Sequence, residues 1–108
     1  MWLLIDDKRT PEQITTQPEK ITLVARNYDE AVEAIESHRW EKIFLDHDLG
    51  DPNDAKTGYG IVKFLEEYPK HVPDCIVLVT MNPSGRENMI RGIRAIENRL
   101  GRKILSPN

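Results

Sequence analysis

The sequence predicts an α/β domain built on a twisted parallel sheet, on three observations. Short apolar runs at 2–5, 21–25, 42–46 and 75–80 alternate with polar or helix-periodic stretches, the pattern of strands joined by crossover helices. The periodic stretches repeat their apolar residues at i, i+3 and i+4, as an amphipathic helix does. The connections between them are rich in Gly, Pro, Asn and Asp, which turns require. At 108 residues the chain has the size of one domain spanning 1–108.

Each element has its own signal. Residues 2–5 form a buried strand that ends abruptly in Asp6 and Asp7. Residues 8–20 are polar and hold Pro11 and Pro18, so the first helix is reduced to one turn at most. The strand at 21–25 precedes a helix over 28–38, capped by Asn27 or Asp29, with Ala31, Val32, Ala34 and Ile35 as its apolar stripe. The third strand, KIFLD at 42–46, leads into the turn-rich HDLGDPNDAKTG. A helix over 59–68 ends at Pro69, and CIVLVT at 75–80 reads as the central strand, apolar on both faces. The longest helix covers 85–100 and stops at Gly101. Residues 103–105 supply a short last strand. Right-handed crossovers then give a three-layer αβα arrangement with a parallel sheet of four to five strands.

Composition narrows the function. A net charge of −3 disfavours duplex nucleic acid as a partner. Cys75 is the single cysteine, so an internal disulfide is impossible, and its apolar setting suits an inert thiol. The apolar run MWLLI is too short for a signal peptide, and no stretch reaches the length of a membrane span. The expected location is cytoplasmic.

In sheets of this kind ligands bind beyond the carboxyl ends of the strands, and those ends are polar here. The first delivers Asp6 and Asp7; the third delivers Asp46, His47 and Asp48; the fourth delivers Thr80, then Asn82, Ser84, Arg86 and Asn88. If the first and third strands are neighbours, three carboxylates converge, and crowded carboxylates need a cation. A hard divalent ion such as Mg²⁺ (or Mn²⁺) meets that need and commonly brings a phosphate. Ser84 and Gly85 open a helix whose N–H groups attract an anion. Arg86 in the first turn opposes the helix dipole unless it grips that anion. Lys8 and Arg9 follow the acid pair closely enough to neutralise it or touch a ligand. His47, between two acids, suits general acid or base work, although strand alternation would turn it away from Asp46.

These residues carry a resemblance over essentially the whole chain. LLIDD at 3–7, KIFLD at 42–46 and IVLVT at 76–80 resemble the first, third and fourth strands of response-regulator receiver domains, which have a flavodoxin-like fold. The resemblance implies that Asp6 and Asp7 hold Mg²⁺, that Asp46 takes the phosphoryl-acceptor position, and that Thr80 is the hydroxyl residue ending strand four. Receivers end strand five in Lys-Pro; Ser106-Pro107 stands there instead, which removes the phosphate-gripping lysine. LDHDLG at 45–50, TGY at 57–59 and NPSGRENM at 82–89 resemble a narrower group, the cyclic-phosphate processing receiver domain. Members of that group carry a histidine near the end of strand four; this chain has Val79-Thr80 there and His47 as the nearby imidazole.

Two functions follow. One is a metal-dependent phosphoesterase acting on cyclic phosphates or cyclic nucleotides, with Asp46, His47, Asp48 and Thr80 as catalytic residues. Asp6, Asp7 and Asp46 would then hold the metal, and Asn82, Ser84, Arg86 and Asn88 the phosphate. The other is a non-catalytic module that recognises a phosphorylated small molecule, a nucleotide or a protein partner. A true phosphoryl-accepting receiver is the third possibility, weakened by the missing lysine. A lone compact domain with no output module suits a phage or mobile-element accessory protein.

Overall fold

The computed structural model describes residues 1–107. Four parallel strands, β1 (Trp2–Ile5), β2 (Ile21–Ala25), β3 (Lys42–Leu45) and β4 (Cys75–Leu78), lie in the order β2-β1-β3-β4. Between them run α1 (Pro11–Ile14), α2 (Tyr28–Ser37), α3 (Gly58–Glu67) and α4 (Pro83–Leu100). This is the flavodoxin-like α/β fold with its first helix cut to one turn. The fifth strand is reduced to a single parallel bridge between Ile76 and Leu105.

Strand order explains which face each helix covers. The chain steps from β1 to β2, then crosses back over β1 to β3 and on to β4, so α2, α3 and α4 share one face. There Leu3, Ile5, Ile43, Leu45, Ile76 and Leu78 meet Ala31, Ile35, Ile61, Leu65, Met89 and Ile93 in one buried cluster. Each large side chain so buried contributes about 1.5–3 kcal/mol. The opposite face has a thinner cover, where Leu4, Phe44 and Ile21 pack with Trp2, Ile14, Val24 and Val77. The Lys42 ammonium lies 4.2 Å from the Trp2 ring centre, a cation–π contact with its stem along the sheet.

The expectation that 75–80 forms a central strand holds only in part. Among the described residues, β4 pairs fully with β3, and the Leu105 bridge stands beyond it. Its regular strand also stops at Leu78. The apolar run that suggested a central strand reflects packing above and below, with Ile76 and Leu78 buried. Cys75 is half-buried and burial pushes its thiol pKa up, which suits an inert thiol. Among the described residues, no helix is long and apolar enough to cross a membrane.

The C-terminal segment is held by one buried carboxylate. Glu97 on α4 is 8% exposed, and its Oε2 accepts the N–H groups of Ile104 (2.7 Å) and Leu105 (2.8 Å) while Arg94 pairs with Oε1 at 2.8 Å. Burial alone would raise its pKa, but those backbone and arginine contacts outweigh it and hold the carboxyl below its usual value. A depressed carboxylate pKa stabilises the fold above the unfolded value and loses that contribution as pH falls through the folded one. Glu97→Gln is therefore expected to cost about 1–2 kcal/mol at pH 7. Urea melts at pH 7 and pH 3 should show the gap from the parent closing at the lower pH.

Candidate functional site

Parallel register brings the acidic residues together. Ile5 pairs with Leu45 and Leu45 with Leu78, so β1, β3 and β4 end level. The ladder runs one residue further, with the Asp6 N–H on Ala25 O, the Asp46 N–H on Ile5 O and the Val79 N–H on Leu45 O. Asp6 and Asp46 consequently leave neighbouring strands side by side. One carboxylate oxygen from each of Asp6, Asp7 and Asp46 lies within 4.8 Å of the others. This all-oxygen, three-carboxylate set fits a hard divalent cation.

Asp6 is 1% exposed and accepts three hydrogen bonds. Its Oδ1 accepts the N–H groups of Lys8 and Arg9, both at 2.9 Å, in an Asx turn that forces the chain back over the strand end. Its Oδ2 accepts Arg9 Nε at 2.7 Å. Burial pushes its pKa up, but these hydrogen bonds and the arginine's charge outweigh it, and the net direction is down. Asp46 goes the other way. Burial and then the charge of Asp6 raise its pKa, against the His47 N–H (2.8 Å), the Arg9 charge and the Thr80 hydroxyl. The strand-end acids thus divide into one held ionised and one made proton-hungry, as crowded carboxylates do.

Arg9 is the cation of the site. Its Nη2 lies 3.7 Å from Asp46 Oδ2 and also donates to the Val79 carbonyl, so the guanidinium spans the ends of β1, β3 and β4. Arg26, just past β2, fixes the loop by donating to the carbonyls of Asp6 (3.2 Å) and Arg9 (2.7 Å). Sequence reasoning named Arg9 only as a nearby charge and missed Arg26. The signal for Arg26 was its place immediately after a strand that pairs with the one delivering Asp6.

Two clefts open at this end of the sheet. The acidic one, about 260 Å³, is lined by Asp6, Asp7, Lys8, Arg9, Asp46, Asp48 and Met81. The other, about 300 Å³, is lined by His47, Asp54, Thr57, Tyr59, Asn82, Ser84, Gly85 and Asn88. Asp48 and His47 form the wall between them, joined by Nδ1···Oδ1 at 3.0 Å. A carboxylate only accepts, so Nδ1 carries the proton of this contact. The ring is seated by Gly85, where a Cβ would lie 2.4 Å from its Cγ. The ring turns away from Asp46 and faces the second cleft, not the acidic one, the side that strand alternation gives it.

The start of α4 differs from the sequence expectation. The helix begins at Pro83, two residues before Gly85, with Asn82 as its cap. The Asn82 side chain takes the Gly85 N–H (3.0 Å) and its carbonyl takes the Arg86 N–H (2.9 Å). Proline has no N–H, so of the first turn only the Ser84 N–H faces outward for an anion. Ser84, Asn82 and Asn88 line the second cleft together. Arg86 lies apart from both clefts and donates to the Leu78 carbonyl at 3.3 Å. Thr80 is 7% exposed, and its hydroxyl accepts the Asn82 N–H at 3.1 Å.

The sheet order, the reduced first helix and the acid triad define a receiver-like domain with a cluster of carboxylates that could bind a metal. The model of the cyclic-phosphate processing receiver domain matches residues 1–95, and the chain belongs to that family. Solved structures with the same fold include a response regulator protein from Burkholderia pseudomallei, described with a phosphorylated aspartic acid, a calcium ion and citrate. It is 17% identical with a TM-score of 0.62, over 99% of this chain and 59% of that one. A response regulator receiver domain protein (CheY-like) from Methanospirillum hungatei is 21% identical with a TM-score of 0.59, over 99% and 81%. The chain thus spans a little under three fifths of the first relative's length. No curated protein matches.

Proposed function

We propose that the acidic cleft binds a divalent cation, Mg²⁺ or Mn²⁺, together with the phosphoryl group of a cyclic phosphate or cyclic nucleotide, and that the protein opens the ring. The observation that carries this reading is the convergence of Asp6, Asp7 and Asp46 within 4.8 Å, beside a His–Asp pair on the adjoining wall. Asp6, Asp7 and Asp46 would hold the cation, which would supply Lewis-acid polarisation of a phosphoryl oxygen and acidify a water. Arg9 and the Thr80 hydroxyl meet the remaining phosphoryl oxygens, with stabilisation greatest where charge develops. Asp48, which lines the acidic cleft, takes a proton from the attacking water, and His47, paired with it and facing the second cleft, gives one to the leaving hydroxyl. Water adds to phosphorus, one ring P–O bond breaks, and a monoester with a free hydroxyl results. Asn82, Ser84 and Asn88 hold the rest of the ligand in the second cleft, and Arg86 braces the loop after β4.

A second reading, a module that binds a phosphorylated ligand or partner without turnover, is favoured by the His47 ring facing the second cleft. One experiment separates the two: the metal-loaded protein incubated with 2′,3′- and 3′,5′-cyclic nucleotides beside Asp46→Asn and His47→Ala. Metal-dependent hydrolysis lost about 10²-fold or more in both variants is the expected result. Metal binding with no turnover of any cyclic phosphate would leave the binding module.

A further inference from the structure

The acidic cleft already contains a cation of its own, and its placement conflicts with simple metal entry. Asp6 is 1% exposed; its Oδ1 is taken by two backbone N–H groups, and the oxygen left with room for an ion, Oδ2, already accepts Arg9 Nε at 2.7 Å. The Arg9 Nη2 group lies 3.7 Å from Asp46 Oδ2. A divalent ion that takes Asp6 and Asp46 must therefore reach the atoms that the guanidinium faces. The ion and the guanidinium then repel each other and compete for the same carboxylate oxygens. The Arg9 side chain is 31% exposed, so it has solvent into which to swing.

We infer that Arg9 is an internal competitor of the divalent cation. It holds Asp6 and Asp46 together in the metal-free protein, is displaced from Asp6 when the ion binds, and then becomes the ligand of an oxyanion arriving with the metal. Binding of metal and binding of phosphate are consequently coupled through one side chain, and linkage makes the coupling mutual. The inference rests on the metal reading of the acidic cleft. Its residue is a specificity-determining one: a guanidinium freed beside a bound cation favours a multidentate oxyanion such as a phosphate over a neutral ligand. The Arg9 carbonyl is anchored by Arg26 at 2.7 Å, so the side chain moves while the backbone stays.

The test is a Mn²⁺ titration, followed by electron paramagnetic resonance, of the parent, Arg9→Gln and Arg9→Lys, each with and without inorganic phosphate. Arg9→Gln is expected to bind Mn²⁺ at least about tenfold more tightly than the parent, because a neutral amide leaves the carboxylates to the ion. Phosphate is expected to tighten Mn²⁺ binding in the parent and to leave Arg9→Gln unmoved. Arg9→Lys keeps the charge and loses the fork, so it should match the parent for Mn²⁺ and show weaker phosphate coupling; it carries the test should Arg9→Gln unfold. A parent that binds Mn²⁺ with Arg9→Gln no tighter overturns the inference and leaves the metal site standing. Silence in all three proteins would instead overturn the metal reading beneath it. Mn²⁺ binding by Arg9→Gln alone would support the competition directly.

Discussion

Asp46→Asn is expected to lower Mn²⁺ affinity about 100-fold or more while leaving the metal-free protein at least as stable as the parent. The first effect follows from position. Asp46 lies level with Asp6 across the β1–β3 ladder and supplies one of the three converging oxygens. Outer-shell partners alone are worth about 10–100-fold in metal affinity, so a direct ligand is worth at least the upper figure. The second effect follows from the environment. Burial and the charge of Asp6 raise the Asp46 pKa. An acid whose folded pKa is raised weighs against folding when it is ionised, above that pKa. An amide of the same shape removes that repulsion and keeps an oxygen for the His47 N–H. Calorimetric titration and thermal melts in metal-free buffer check both halves. A variant that lost both metal affinity and stability would mean Asp46 has a structural role that its surroundings do not suggest.

Gly58→Ala is expected to destabilise the protein by at least about 3 kcal/mol. A Cβ there would lie 2.1 Å from the Asp46 carbonyl oxygen and 2.9 Å from His47 Cα. Both obstacles are main chain and cannot rotate away, and the Gly58 N–H is itself bonded to the His47 carbonyl at 2.7 Å. The start of α3 is thus seated directly on the segment that delivers Asp46 and His47. Relief of the clash must move those two residues, so metal affinity should fall with stability. Urea melts test the first effect, and a variant as stable as the parent would contradict the close approach.

Much of this was legible in the residues. The apolar runs before Asp6, Asp46 and Thr80 announced three strands and the acids at their ends, and parallel pairing did the rest. The lost first helix was readable from Pro11 and Pro18. β4 was read as central because an apolar strand looks the same whether its next neighbour is a full strand or a single bridge to Leu105. The start of α4 was misplaced because Asn82 resembles a turn residue until its side chain is seen on the Gly85 N–H. Arg9 was the hardest. Nothing in the spacing of Asp6 and Arg9 says that an Asx turn brings the guanidinium back across Asp46. The direction of His47, away from Asp46, was readable from strand alternation.

The central claim is that a divalent ion occupies the space between Asp6, Asp7 and Asp46. The most direct measurement is anomalous diffraction from crystals grown with Mn²⁺. The account predicts a single strong peak within coordination distance of all three carboxylates, with Arg9 drawn off Asp6. Crystals of protein saturated with Mn²⁺ that show the ion elsewhere, with the Arg9–Asp6 pair intact, would contradict it.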